Sequence, residues 1–199
     1  PAAAEPETDE QKTLYAIGVV LSQQLQAFAL TEEELAFVNA GIADAVMKRP
    51  QKVEMQAYAP KIRELAQQRL AAFMEQQAEQ SKGLMEKAAG EPGAVKTASG
   101  AIVVPIKEGT GTNPRAEDTV KVHYHGTLVD GTVFDSSVDR GLPATFPLSN
   151  VIKCWTEGVQ KIKVGGKARL VCPADVAYGD RGAPPNISPG ATLIFEVEL

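Results

Sequence analysis

VHYHGTLVDGTVFDSS, residues 122–137, decides how the second half of the chain is read. Alternate residues of a strand share a face, so Val122, Tyr124 and Leu128 point one way and His123 and His125 the other. Tyr124 is the inward residue, and Asp130-Gly131 is a turn signal between strands. Ala101 to Ile106, Val120 to Val129, Lys167 to Cys172 and Ala191 to Leu199 read as strands of an antiparallel sheet. Between them VIKCWTEGVQ, residues 151–160, reads as a short helix. One helix against four to six strands makes an α+β domain.

The sequence upstream has another character. The first 97 residues hold 5 Gly and 5 Pro, and the remaining 102 hold 12 Gly and 8 Pro, so helix gives way to sheet near Thr97. Leu14, Ile17, Gly18, Leu21, Leu25 and Phe28 lie at helical spacing and predict an apolar seam along a helix from about Thr13 to Ala29. Thr31 with Glu34 reads as a capping box opening a second helix through Leu35, Val38, Ile42 and Val46, which Lys48-Arg49-Pro50 ends. A third helix is expected from near Pro60, in a first turn that tolerates proline, to Ala89. Its segment EQQAEQSK, residues 75–82, is polar all round, as in a helix that bridges two bodies through solvent. Gly90-Glu91-Pro92-Gly93 marks the break that follows. The expected division is a helical region over 1–57, a long connecting helix over 58–90 and the α+β domain over 91–199. Three short-patterned helices make a poor core by themselves, and a second copy of the first helix's seam would cover it with twofold symmetry.

Composition narrows the function. Twenty Lys and Arg against 25 Asp and Glu give a net charge of -5, which disfavours nucleic acid as a partner. No run reaches the roughly 20 apolar residues of a bilayer span. Nucleophile-elbow and phosphate-loop patterns are absent from the sequence. His123 and His125 are the whole histidine supply, no third ligand is marked beside them, and the two cysteines fit no zinc spacing, so neither metal nor cofactor is expected. What remains is six aromatic residues in the second half: Tyr124, Phe134, Phe146, Trp155, Tyr178 and Phe195. Spacing alone allows them to be ordinary core or the lining of one pocket.

Residues 122–137, the segment VIKCWTEGVQ, then ADVAYGDRG (174–182) and ATLIFEVEL (191–199) closely resemble, in order, the motifs of FKBP-type peptidyl-prolyl cis/trans isomerases. The N-terminal half, with LYAIGVVLSQQL before a long helix, resembles the dimerisation region of the macrophage-infectivity-potentiator class of these enzymes. The resemblance implies a five-stranded antiparallel sheet wrapped over a short helix, with a shallow aromatic pocket between. It assigns Tyr124, Phe134, Asp135 and Phe146 to the walls, Val151 and Ile152 to the rim and Trp155 to the floor. It also brings the Tyr178 hydroxyl to a substrate carbonyl, with Ile187 and Phe195 closing the remaining side. Implied partners are proline-containing unfolded polypeptides, a second copy of the chain through the seam of the first helix, and macrolide inhibitors. The implied location is periplasmic, outer-membrane-associated or secreted in a Gram-negative bacterium, and the implied activity is isomerisation of X-Pro bonds together with chaperone action as a dimer. A non-catalytic proline-binding chaperone or interaction module is the alternative.

The sequence departs from the family pattern at three places. Cys154 stands where the family usually has Gly, Cys172 precedes Pro173 at a position usually small or apolar, and Asn186 precedes Ile187 where another apolar residue is common. The family fold brings the start of the short helix near the end of the strand before the Tyr178 loop. Cys154 and Cys172 therefore form either a disulfide, in an oxidising compartment, or two buried thiols.

Overall fold

The computed structural model describes residues 5–199, apart from the side chains of residues 23, 26 and 27. Contacts divide the chain into two compact units, one up to Phe73 and one from Met74 to Leu199.

The first unit is helical. Helix α1 (Asp9–Ser22) passes into a 3₁₀ segment, Gln23–Phe28, so the single helix expected to Ala29 is two pieces. At three residues per turn, Leu25 and Phe28 stack one above the other instead of continuing the stripe of α1. Helix α2 (Glu32–Val46) opens with the capping box that the sequence predicts: Glu34 N donates to Thr31 Oγ1 at 3.3 Å and Thr31 N donates to Glu34 Oε2 at 2.9 Å. Arg69 of helix α3 (Met55–Ala89) adds a contact that the sequence did not suggest. Its guanidinium donates to both carboxylate oxygens of Glu34, at 2.5 and 3.3 Å, and to Phe28 O at 3.1 Å, tying three elements together.

Helix α3 begins five residues before Pro60, which therefore sits in the second turn and not the first. The missing N–H costs one hydrogen bond there, and the flanking helix formers carry the helix across. It also runs unbroken through Gly83. The unit boundary falls inside this helix because its last turns pack elsewhere: Leu84, Met85 and Ala88 bury Ile102, Val104 and Val171 on one face of the sheet.

The second unit is built on seven strands: β1 (Val95–Lys96), β2 (Ile102–Lys107), β3 (Thr119–Leu128), β4 (Val133–Ser136), β5 (Ala144–Pro147), β6 (Lys167–Cys172) and β7 (Leu193–Glu198). Their order is β1-β2-β6-β7-β3-β4, with β5 pairing the first half of β3, and every pairing is antiparallel. The count exceeds the expected five because β1, β4 and β5 are only two to four residues long and owe their strand character to longer partners. The β3–β4 hairpin closes at Asp130-Gly131: Gly131 takes φ 88°, and the Asp130 carboxylate accepts the Thr132 N–H at 2.9 Å.

Helix α4 (Lys153–Val159) crosses the other face of the sheet. Gly158 lets it approach β6 closely, since a Cβ there would lie 2.5 Å from a Leu170 methyl. Val103, Val122, Tyr124, Leu170, Val197 and Trp155 form the core between helix and sheet. A disulfide joins Cys154 at the start of α4 to Cys172 at the end of β6, with the Cα atoms 5.6 Å apart. No described helix is long and apolar enough to cross a membrane.

A candidate active site lined by aromatic rings

At one end of α4 the core opens into a cavity of about 830 Å³. Trp155 forms its base. Tyr124, Phe146 and Phe195 stand almost edge-on around the indole, with ring centroids at 5.3, 5.7 and 5.3 Å and interplanar angles of 84–86°. Phe134 extends the wall by standing at 90° to Phe195, 5.4 Å away. Edge-to-face packing of this kind holds each ring against its neighbour's quadrupole, adding about 0.5–1.5 kcal/mol per pair beyond area burial.

The local sequence explains why these rings converge. Tyr124 is an inward position of β3, and Phe195 faces the same way from the neighbouring β7. Between them Gly126 leaves the room that Phe134 fills, since a Cβ there would sit 2.7 Å from Phe134 Cζ and 3.1 Å from Phe195 Cε1. Trp155 is oriented by the first turn of α4, where its N–H donates to Ile152 O at 2.9 Å and the Thr156 hydroxyl reaches back to Leu148 O at 2.7 Å. The indole Nε1 is buried and has no hydrogen-bond partner among the described residues.

The polar groups sit at the edge. Tyr124 Oη donates to Asp135 Oδ2 at 2.5 Å, Arg140 pairs with the other carboxylate oxygen, and Arg140 Nη2 donates to Tyr124 Oη at 2.8 Å. The guanidinium also lies 5.6 Å over the Tyr124 ring. Burial pushes the Asp135 carboxyl up, but the hydrogen bonds from Tyr124 and Arg140 and the Arg140 charge outweigh it and hold the group below its usual range. Burial, then the Asp135 hydrogen bond, raises the Tyr124 hydroxyl. Asp135 is therefore an ionised acceptor and Tyr124 a neutral donor at neutral pH. Arg140, which completes this triad, carried no signal in the sequence.

The far rim comes from the segment 178–190. Gly182 has φ 62°, and Ala183 and Ile187 exchange two backbone hydrogen bonds of 2.8 and 3.0 Å that close a small loop containing a cis Pro184–Pro185 bond. Ile187 is thereby buried against the cavity, while Asn186 lines it from the exposed side. Tyr178 is 43% exposed, and its hydroxyl makes no hydrogen bond among the described residues. Val151 and Ile152 line the opposite rim, and the Ile152 N–H, which precedes α4, is likewise unused. All ten pocket residues named from the sequence line this one cavity. Asn150, Ala183 and Asn186 line it as well. The two cysteines lie behind it, fully buried. Leu14, Ile17, Gly18 and Leu21 are exposed on α1, and Leu25 and Phe28 are half-buried in the 3₁₀ segment. Among the described residues no His, Cys, Asp or Glu cluster is shaped for a metal ion, and the Nδ1 atoms of His123 and His125 face Ser137 and Ser136 at 3.3 and 3.0 Å.

A short helix across an antiparallel sheet thus carries an aromatic cup whose only charged lining residue, Asp135, is paired with Arg140, with spare hydrogen-bond groups at two rims. Residues 110–199 match the family of FKBP-type peptidyl-prolyl cis-trans isomerases, and residues 10–102 match the domain amino terminal to FKBP-type peptidyl-prolyl isomerase. The chain is 38% identical over 208 residues to the FKBP-type peptidyl-prolyl cis-trans isomerase FkpA of Aeromonas hydrophila, covering 98% of this chain and 77% of the relative. It is 34% identical over 213 residues to the peptidyl-prolyl cis-trans isomerase Mip of Coxiella burnetii, covering 100% and 89%. The crystal structure of FkpA from Escherichia coli superposes with a TM-score of 0.70 at 34% identity, covering 98% of this chain and 97% of that one. The chain belongs to the FKBP-type peptidyl-prolyl cis-trans isomerase family.

Proposed function

We propose that the chain isomerises X-Pro bonds in unfolded polypeptides of the Gram-negative envelope, works as a homodimer, and holds its clients as a chaperone. Residues 1–57 would serve dimerisation, 58–90 connection and 91–199 catalysis. The observation that carries the catalytic reading is the cup of Tyr124, Phe134, Phe146, Trp155 and Phe195 with no charge except the neutralised Asp135–Arg140 pair.

Rotation about a peptide bond has a barrier of about 18–20 kcal/mol because the planar amide is resonance-stabilised, and X-Pro interconversion takes tens to hundreds of seconds. No covalent bond breaks, so no nucleophile is required. The planar imide is more polar than the twisted transition state. Moving it from water onto the Trp155 indole disfavours the planar form more than the twisted one. Position supplies the rest: the free Ile152 N–H and the Tyr178 hydroxyl each hold a carbonyl flanking the proline, leaving rotation as the remaining freedom. Asp135 and Arg140 keep the Tyr124 ring fixed as wall.

The dimer reading rests on the first unit, where no described residue is buried and Leu14, Ile17 and Leu21 are 45–60% exposed along α1. An exposed apolar seam of this length is normally covered by a partner, and an isologous contact of α1 with its own copy does so by symmetry. Two pockets in one assembly raise the effective concentration of the second for a client held by the first. The homologues' Gram-negative sources and the disulfide favour an oxidising envelope compartment. Light scattering tests the dimer, and refolding of a proline-limited client tests the linkage of catalysis to holding. A full chain with monomer mass would overturn the first, and refolding no faster than with a pocket variant would leave a proline-binding chaperone in place of a folding catalyst.

A further inference from the structure

We propose that the Cys154–Cys172 disulfide is a positioning element of the active site, keeping the Trp155 base and the Tyr178 rim in their binding-competent arrangement. The bridge lies directly behind the pocket. Cys154 is the residue before Trp155, and Cys172 ends β6 immediately before Pro173 and the 3₁₀ turn Ala174–Val176 that leads to Tyr178. It therefore joins the two segments that carry the base and one rim, which otherwise meet only through side-chain packing. The join is made where α4 is weakest. This helix has seven residues, Ile152 gives its start no side-chain cap, and Trp155 belongs to its first turn. A covalent tie one residue from the indole replaces the missing cap as the restraint on that turn.

Val176 anchors the second segment in the same core as Trp155, but the rim residue beyond it is held less firmly. Tyr178 is 43% exposed, and its loop holds itself by the Ala183–Ile187 bridge and the Gly190 N–H to Gly179 O bond, neither of which reaches α4. Both cysteines are fully buried, so the disulfide acts by holding the site, with its sulfurs out of reach of substrate. In thiol form the base and rim would separate part of the time. A ligand that binds only the assembled pocket then binds with an apparent constant divided by the assembled fraction, so an assembled fraction of about one in five raises KM about fivefold. Once substrate is bound the pocket is assembled in either form, and kcat is unchanged.

This inference rests on the isomerase activity of the pocket. The test compares three samples of the full chain: the disulfide form; the dithiol form, made with dithiothreitol while unfolded and refolded under reductant; and the Cys154→Ser/Cys172→Ser variant. Reduction transfers two electrons and two protons from dithiothreitol to the bridge, giving two protein thiols and the cyclic disulfide of the reagent. Each sample is assayed with a succinyl-Ala-Ala-Pro-Phe anilide peptide at a temperature where circular dichroism shows it folded. The expected result is a KM several-fold higher in both bridge-free samples with kcat retained, and reversal when the dithiol form is reoxidised. A staple that only stabilises the fold would lower the melting temperature and leave KM alone, so equal KM values in folded samples overturn the proposal. Failure of both bridge-free samples to fold at any temperature overturns it too, since the bridge would then be a requirement of the fold. Absence of catalysis in the disulfide form would count against the isomerase site itself, a separate failure.

Discussion

The segment from Met74 to Leu199 and the segment up to Phe73 solve the burial of apolar side chains in opposite ways. The first closes a core within itself: Leu148, Val159, Leu170, Leu193 and Val197 are completely inaccessible, and the aromatic cup is cut into that core's edge. The second is comparably rich in apolar residues, yet among those described none is buried, and Phe37 is 80% exposed. Its order comes from helix hydrogen bonds, the Thr31–Glu34 capping box and the Arg69 contacts at the start of α2. A site that must present five rings at fixed angles needs the closed kind of core. The open kind leaves hydrophobic area that the proposed association of two chains would cover.

Trp155→Ala should have the largest effect: losing a buried indole costs about 3–5 kcal/mol in the Met74–Leu199 unit and removes the base of the pocket. Urea unfolding followed by near-ultraviolet circular dichroism reads the first, and an unchanged transition would break the claim that ring and core are one structure. Leu21→Glu should reduce the scattering mass to that of one chain, weakening association by about 2 kcal/mol or more, with peptide isomerisation unaltered. Persistence of the larger mass would show that α1 is not the contact. Gly126→Ala should cost about 1–3 kcal/mol through collision with Phe134 and Phe195, and lower kcat/KM by displacing the wall. The smallest effect concerns acid. The hydrogen bond and charge of Arg69, together with the Thr31 amide, lower the Glu34 carboxyl from 4.5 to about 2. The stability it contributes is therefore present above pH 4.5 and lost as pH falls through about 2. A carbon-detected NMR titration placing Glu34 at its ordinary value would remove the Arg69 contact from the account.

The sequence disclosed the sheet domain because period-two alternation in 120–128 and turn chemistry at Asp130-Gly131 are local signals with few competing readings. The pocket aromatics followed once their order along the chain matched a family, since all of them sit on regular elements or at turns beside them. What stayed hidden depends on distant partners. Arg140 and Arg69 are long, flexible side chains whose roles arise only when β4 and α2 bring a carboxylate to them. Strands β4 and β5 are too short to show periodicity and exist by pairing with β3. The change to 3₁₀ geometry after Ser22 leaves apolar spacing of three and four almost unaltered, so the seam looked continuous. The free N–H of Ile152 has no signal in the sequence, because an unused backbone donor leaves no mark on residue types.

The most direct test of the central claim is the rate of cis/trans exchange in a short X-Pro peptide, measured by exchange NMR with the full chain and with Phe134→Ala. The expected result is acceleration by the unaltered chain and a loss of at least about tenfold in the variant, with its sheet resonances otherwise preserved. Equal acceleration by both, or none by either, would contradict the assignment of catalysis to the aromatic cup.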